Sequence, residues 1–396
     1  MKNAISTLTL GTLCALMLLL PFPFQADACT SVIVSGKVTA DGRPIMMKHR
    51  DTGQLNNRIE YFKGEIYDFV ALVNSDWRTA PSSPLYGWMG EAWSGTNNVG
   101  FCIMNTATYD FKDDDVPVEQ MEREGVFMYR ALEVCATIND FEHYLDTLSR
   151  PMGVEANFGV IDAHGGASYY EVNNHRWVKF DVNDLSDGKK GYRVVTNFTQ
   201  SGRMEDRKGV DRYEKASDIM AGMFSGVKIS GDKITGKVTI GHRDLLNRIS
   251  RSGSPILRDI TSASIIFEGV QPGENPLHTV MWSTVGYPTA AVCLPVMVLS
   301  RDLVPSWLRA SRGSDNCLSC NSALSIKEKM LSGDVDAAEV MKECMETEIL
   351  IDRRFSSIFV RWTEGKISDR NFESLYESAI GKFSSLCRKN LAGYQK

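Results

Sequence analysis

Short segments in which apolar and polar residues alternate, or in which β-branched residues cluster, recur between residues 30 and 299. Segments of about four to eight residues bounded by turn residues are typical of β-strands. They predict strands at Thr30–Ser35, Ile45–Lys48, Ile59–Phe62, Ile66–Val73, Gly100–Asn105, Phe158–Asp162, Ser168–Val172, Trp177–Val182, Tyr192–Asn197, Ser262–Phe267, Thr279–Ser283 and Ala290–Leu299.

Apolar residues spaced three and four apart predict three helical regions. Glu119–Leu148 is predicted to be mainly helix, Asp211–Phe224 is predicted to be one helix, and helical spacing runs from Ser322 to about Leu391. Strands with helical groups between them predict an α+β fold with helices on the outer faces of a sheet. The C-terminal helices are either a cap on that fold or a dimerisation element. Amphipathic spacing favours a cap, because such spacing usually results from packing within one molecule. A homo-oligomer is kept as an alternative.

The first 28 residues have the pattern of an export signal. Lys2 is followed by the apolar run Leu13–Leu20, by Pro21, and by the small-residue cleavage pattern Ala26-Asp27-Ala28. The apolar run is too short to span a bilayer, so we expect no permanent membrane span. The mature protein is predicted to begin at Cys29, in the periplasm or outside the cell.

Composition adds limits on partners and domains. The 396 residues are 43% hydrophobic and 23% charged with a net charge of −5, which is ordinary for a globular protein and argues against nucleic acid as a partner. We expect a signal peptide over 1–28, one domain over 29–320 and a helical extension over 321–396. The pairing of Cys317, Cys320, Cys344 and Cys387 stays open. Because no phosphate loop, zinc motif or calcium loop occurs, we expect no cofactor.

A cysteine at the first position of a mature chain has a catalytic use. A thiol with a pKa of about 8.5 needs a base, and an α-amine with a pKa of about 7.7–8.0 lies a few bonds from the Cys29 sulfur. One residue then supplies nucleophile and base. The alternatives are that Cys29 is lipidated, that it is structural or in a disulfide, or that it pairs with one of the six histidines.

Several short motifs occur in an order that resembles one enzyme group. The chain is similar to the N-terminal-nucleophile hydrolases of the choloylglycine hydrolase and penicillin acyltransferase-like group, over about residues 29–300. The motifs are Ala28-Cys29-Thr30-Ser31, Thr39-Ala40-Asp41-Gly42, Lys48-His49-Arg50-Asp51, Gly100-Phe101-Cys102-Ile103-Met104-Asn105, the hairpin Asp162–Ala167 with Glu171, Val195-Thr196-Asn197-Phe198, Asp211-Arg212-Tyr213 and Trp282–Pro288.

The resemblance implies a four-layer αββα fold and amide cleavage through an acyl-thioester. It implies that Cys29 is nucleophile and base, and that Asp51 orients its amine. Asn105 would donate to the oxyanion, Asn197 would hold the acyl oxygen or the substrate amide, and Arg212 would favour the thiolate.

The sequence departs from the group at one place. The group has Arg-Asn-x-Asp where this chain has Lys48-His49-Arg50-Asp51. Either Lys48 substitutes as a point charge, or Arg50 takes over with a different geometry, since lysine makes no planar bidentate contact. The aromatic residues Trp88 and Trp93 lie in a Gly-rich stretch, which is expected to line a substrate pocket or to pack in the core.

Structural roles compete with these assignments. Asp51 would cap the turn at Thr52-Gly53, Asn105 and Asn197 would satisfy loop backbone, and Arg212 would form a surface ion pair. Asn197-Phe198-Thr199 also fits a glycosylation sequon.

The sequence therefore predicts an exported cysteine amidohydrolase that acts on a small-molecule N-acyl amide. Bile-salt conjugates, N-acyl amino acids, N-acyl lipids and β-lactam side chains are candidate substrates, and the sequence does not choose between them. The alternatives are acyl transfer to an amine, a dipeptidase of the same superfamily, and a lipid-anchored binding protein without activity.

Overall fold

The structure is a computed structural model that describes residues 28–76, 90–112, 115–117, 120–186, 189–230, 233–311 and 313–395. The predicted signal peptide up to residue 27 and the predicted pocket residue Trp88 lie outside these residues.

Seventeen strands occur in the described chain. In chain order they are β1 Ala28–Val34, β2 Ile45–Asp51, β3 Asn57–Phe62, β4 Phe69–Asn74, β5 Ser94–Asn97, β6 Cys102–Ala107, β7 Ala156–Ile161, β8 Ala167–Val172, β9 Trp177–Asp181, β10 Tyr192–Val195, β11 Lys228–Ser230, β12 Lys233–Thr235, β13 Thr261–Glu268, β14 Val280–Val285, β15 Leu294–Val296, β16 Ala310–Ser311 and β17 Ser314–Cys317.

Seven α-helices accompany them in the described residues. They are α1 Glu124–Val134, α2 Ile138–Thr147, α3 Val210–Met223, α4 His242–Leu245, α5 Leu318–Ser332, α6 Ala337–Thr363 and α7 Asp369–Gln395. A π-helical turn, Leu246–Ser250, continues α4. None of these helices is long and apolar enough to cross a membrane.

Two large antiparallel sheets form the centre of the molecule. The six-stranded sheet has the order β10-β1-β2-β13-β14-β15, and the seven-stranded sheet runs from β3 to β9 in sequence order. The sheets pack face to face, with β1 against β6 and β8, and β2 against β7. Every residue of β1 and β2 is buried, because both faces of the six-stranded sheet are covered.

Helices cover both outer faces. Helices α1 and α2 pack on the seven-stranded sheet over an aromatic core that includes Phe127, Phe141 and Phe158. On the other side, α3 packs on β10 and β1, α4 on β13, α5 on β14 and α6 on β15. The predicted four-layer αββα sandwich is confirmed.

Some sequence predictions differ from the structure. The helix predicted over Glu119–Leu148 is two helices, because Thr137 ends the continuity by capping α2 in a reciprocal pair of hydrogen bonds with Asp140. The strand predicted over Ala290–Leu299 is paired only at Leu294–Val296. Strand β5, with the sequence SGTN, was missed because it has no apolar alternation.

The C-terminal helices are joined to the sheets by a buried ion pair. Arg251 donates to both carboxylate oxygens of Glu348 in α6, at 2.9 and 2.7 Å. Both side chains are almost fully buried, at 1% and 2% exposure. The backbone N–H of Cys293 also donates to Glu348, at 2.8 Å. Residues after 320 therefore share one core with the sheets.

Replacing Glu348 by Gln is expected to destabilise the protein by about 3–5 kcal/mol, because it leaves the Arg251 guanidinium buried without a countercharge. The measurement is the free energy of unfolding in urea. Glu346→Gln is the matched control: this residue is exposed on the same helix, and its replacement is expected to change stability by less than about 0.5 kcal/mol. Equal effects of the two variants would contradict the assignment.

His242 forms a second link between the sheet and α6. Its ring stacks on Trp282 with centroids 3.5 Å apart and lies between Glu268, at 3.0 Å, and Asp352, at 3.3 Å. Burial disfavours the charged ring, but the two carboxylates outweigh burial and raise the pKa of His242 to about 9.

Because this pKa is raised in the folded state, the stabilisation is complete below about pH 6.5 and is lost as the pH rises through about 9. The free energy of unfolding of the wild type is expected to exceed that of His242→Gln by up to about 3 kcal/mol at low pH, with the difference shrinking toward pH 10. Urea unfolding of both proteins across this range measures it. A difference that does not change with pH would exclude a charged His242.

Candidate active site

Cys29 lies at the start of β1, in the interior of the six-stranded sheet. It pairs with Arg50 of β2, and Ser31 pairs with Lys48. Cross-strand partners share a face of a sheet, so these four side chains lie on one face. Tyr169 of β8 donates to Ser31 at 2.8 Å, which shows that this face is turned toward the seven-stranded sheet.

The main chain of Cys29 is held by two buried side chains. Its backbone N–H donates to Asn197 Oδ1 at 2.8 Å. Arg212 donates from Nη2 to the same oxygen at 2.8 Å and from Nη1 to the carbonyl oxygen of Cys29. Asn197 Nδ2 donates to the Ala107 carbonyl at 2.7 Å, which fixes the orientation of the amide. The Cys29 nitrogen that Asn197 holds is here a peptide nitrogen, bonded to Ala28.

Arg212 reaches this position from the first turn of α3, where Gly209 precedes the helix with a φ of 74°. An L side chain is strained at this positive φ, so the position favours glycine. Burial lowers the pKa of Arg212, and the nearby Asp51 and Cys29 oppose that shift. Arg212 is 4% exposed and is therefore not a surface ion-pair residue.

Asp51 ends β2 and is fully buried. Thr261 of β13 donates to its Oδ1 at 2.6 Å, and Arg258 Nη1 lies 3.7 Å from Oδ2. His49 Nε2 lies 3.3 Å from Oδ1. The described contacts of Asp51 are thus with its strand neighbour His49 and with two side chains far along the chain, and they do not include a cap on the Thr52-Gly53 turn. No local sequence pattern marks Thr261 or Arg258 as site residues.

Lys48 and Arg50 hold polar side chains of the seven-stranded sheet. Lys48 Nζ donates to Asn105 Oδ1 at 2.5 Å and to the Trp93 carbonyl at 2.6 Å. Arg50 donates to Asn57 and, at 3.0 Å, to Asn74, and it lies over the Trp93 ring at 4.9 Å.

A cavity of about 380 Å³ opens beside Asn197 and Arg212. Its lining residues include Ala28, Asn197 and Arg212, the rim residues Lys208 and Asp211, and Tyr109 and Arg258. Asn197 is fully buried, with both ends of its side-chain amide in hydrogen bonds. The structure thus brings Cys29, Asn197 and Arg212 into one network, with Asp51 at the same end of the sheet.

No disulfide links the cysteines of the described residues. The Cys317 and Cys320 thiols donate to the carbonyls of Asn57 and Leu55, at 3.2 and 3.1 Å. No group of three histidine, cysteine or carboxylate side chains able to hold a metal occurs in the described part of the chain.

No family model and no curated protein matches this chain. Solved structures similar to it include an acid amidase of Caenorhabditis elegans that hydrolyses N-acylethanolamines, with a TM-score of 0.41 and 15% identity, covering 63% of this chain and 93% of that one. A conjugated bile acid hydrolase variant from Clostridium perfringens gives 0.40 and 11%, covering 65% and 89%. Penicillin V acylase from Agrobacterium tumefaciens gives 0.40 and 12%, covering 68% and 86%. These proteins belong to the group that the sequence motifs resemble.

Proposed function

We propose that this protein is an exported hydrolase that cleaves the amide bond of a small N-acyl compound, with Cys29 as the first residue of the mature chain and as its nucleophile. The observation that carries the proposal is the network around Cys29. A buried asparagine and a buried arginine from distant parts of the chain hold its main-chain nitrogen and oxygen. A cysteine that only fills a core does not need such contacts.

Removal of residues 1–28 converts the nitrogen held by Asn197 into an α-amine. The amine takes the proton from the Cys29 thiol, and the thiolate attacks the acyl carbon of the substrate. The C–N bond then breaks, the leaving amine receives the proton from the α-ammonium, and an acyl-thioester remains. A water molecule, deprotonated by the same amine, then attacks the thioester carbon. The C–S bond breaks, the carboxylic acid leaves, and the thiolate takes the proton back from the α-ammonium.

The tetrahedral intermediates of both steps carry an oxyanion that needs fixed donors. Because Lys48 takes the amide oxygen of Asn105, the Nδ2 group of Asn105 is the end that is able to donate. Asn197 Oδ1 accepts from the Cys29 nitrogen, which supports a role in holding the amine rather than the substrate oxygen. Arg212 adds a buried positive charge beside Cys29, which favours the thiolate.

The cavity beside the main chain of Cys29 is lined by Ala28, which maturation removes, and it supports a small substrate. Its volume of about 380 Å³ is at the low end of the range for drug-sized ligands. The basic side chains Lys208, Arg212 and Arg258 line it together with one acid, Asp211.

The first experiment is the intact mass of the mature protein from its native host, with and without a thiol alkylator, followed by a screen of N-acyl amides. We expect a mass that begins at Cys29 and one rapid label. Burial raises the pKa of the Cys102 and Cys344 thiols to about 12, so these should react slowly. Cys29→Ala is expected to lower kcat more than about 10³-fold.

Cys102→Ala is the matched control, since it removes a thiol from the core between the sheets and should leave kcat close to the wild-type value. A mass increased by fatty acyl chains would mean that Cys29 is a lipid anchor. Full activity of Cys29→Ala would overturn the mechanism.

Asn105→Ala is expected to lower kcat by about 10²–10³-fold with little change in KM, because its amide would act on the oxyanion and not on the bound substrate. Steady-state kinetics on the best substrate from the screen measures this. The control is Asn98→Ala, at a turn between β5 and β6. A loss confined to KM would assign Asn105 to substrate binding instead.

A further inference from the structure

Asp51 ends β2, between two neighbouring strands, β1 and β13, that both begin at this end of the sheet. In the six-stranded sheet Ala28 of β1 is paired with Asp51 from one side, and Thr261 of β13 is paired with it from the other. A register shift follows Thr261, between Thr261 and Ala263. A bulge of this kind re-aims a side chain locally, and here the Thr261 hydroxyl meets the Asp51 carboxylate.

The two carboxylate oxygens of Asp51 differ in their hydrogen-bond partners. Oδ1 accepts from Thr261 at 2.6 Å. Oδ2 is buried and has no hydrogen-bond donor among the described residues, with Arg258 Nη1 as a neighbouring cation at 3.7 Å. His49 does not fill this gap, because its Nε2 lies 3.1 Å from the Ile256 carbonyl, which only accepts, and so directs its proton there. A buried carboxylate oxygen without a donor is costly and calls for an explanation.

The maturation of Cys29 supplies the missing donor. The peptide nitrogen of Cys29 has one hydrogen, which Asn197 accepts. Cleavage after Ala28 gives an α-amine with further N–H groups and removes the residue paired with Asp51. The amine then has one acceptor in Asn197 and a second in the Asp51 oxygen that lacks a donor.

We propose that Thr261 is a positioning residue for the reaction: its hydroxyl holds Oδ1 of Asp51 and so reserves Oδ2 for the α-amine of Cys29. The inference rests on the proposed function, since it concerns the amine that acts there as the base. Thr261 touches neither substrate nor thiol. It acts by fixing the rotation of the carboxylate that orients the amine.

The charged groups around the amine come from several elements. Asp51 and His49 belong to β2, Arg212 to α3, and Arg258 to the segment before β13. Lys208 and Asp211 lie at the rim of the cavity. Replacing Thr261 by Val retains all of them and a side chain of similar shape. The variant removes the hydroxyl, which also accepts from the Arg258 backbone N–H at 2.9 Å.

In Thr261→Val we expect kcat to fall about 10²-fold with KM changed less than about threefold, because the base is misplaced while the cavity is intact. The Asp51 carboxylate raises the pKa of the neighbouring ammonium. Once the carboxylate rotates away, the acidic limb of the kcat profile should move to lower pH by about half a unit. Steady-state kinetics of the mature enzyme across pH measures both effects.

Two further variants complete the design. Thr261→Ser retains the hydroxyl and should restore kcat and the pH profile. Thr279→Val makes the same change at a buried threonine whose hydroxyl has no hydrogen-bond partner in the described residues, and it should match the wild type.

Thermal unfolding of each variant separates misfolding from misplacement. A folded Thr261→Val with the wild-type kcat and pH profile would overturn the role of Thr261. If the wild type cleaves no amide, or if Cys29→Ala remains active, the proposed function itself fails. That result is distinct from a negative result for Thr261→Val.

Discussion

Arg212 donates to the carbonyl oxygen of Cys29 and to the amide oxygen that also accepts from the Cys29 nitrogen, and the site is arranged around this pair of contacts. A buried guanidinium needs acceptors on every side it presents. It finds them in the main chain of Cys29 and in Asn197, with Asp51 close enough to offset part of the effect of burial on its pKa. Arg212 therefore both fixes the position of the Cys29 main chain and supplies the positive charge beside it.

The antiparallel sheet explains why the site residues meet. Strand β1 begins at Ala28, whereas its neighbours β2 and β10 run in the opposite direction and end at Asp51 and Val195. Asn197 follows β10 by two residues, and β13 begins with Thr261 opposite Asp51. Strand starts and strand ends alternate along one end of the sheet, so side chains far apart in sequence lie together there. Because β1 is paired with a strand on each side, two ladders of hydrogen bonds hold the strand that carries Cys29.

The sequence was informative where local pattern and order decide the outcome. The turn at Asp41-Gly42 predicted the hairpin that brings Lys48–Asp51 next to Cys29, and the structure has that pairing. Thr261 could not be found, since its contact with Asp51 spans 210 residues and depends on a bulge in β13. Strand β5 could not be predicted from the sequence either, because its own residues do not favour a strand. It is a strand because it pairs with β4 and β6.

Burial restricts which cysteines can react. Cys317 and Cys320 have the spacing of a redox pair, yet both thiols donate to main-chain carbonyls, and burial raises the pKa of each. Burial likewise raises the pKa of Cys293 and Cys387. A thiol that stays protonated at neutral pH is neither a good nucleophile nor readily oxidised. Cys29 differs in that a buried cation contacts its main chain and a cavity opens beside the residue before it. The placement of each thiol in the fold, rather than its sequence spacing, thus supports Cys29 over the other cysteines as the proposed nucleophile.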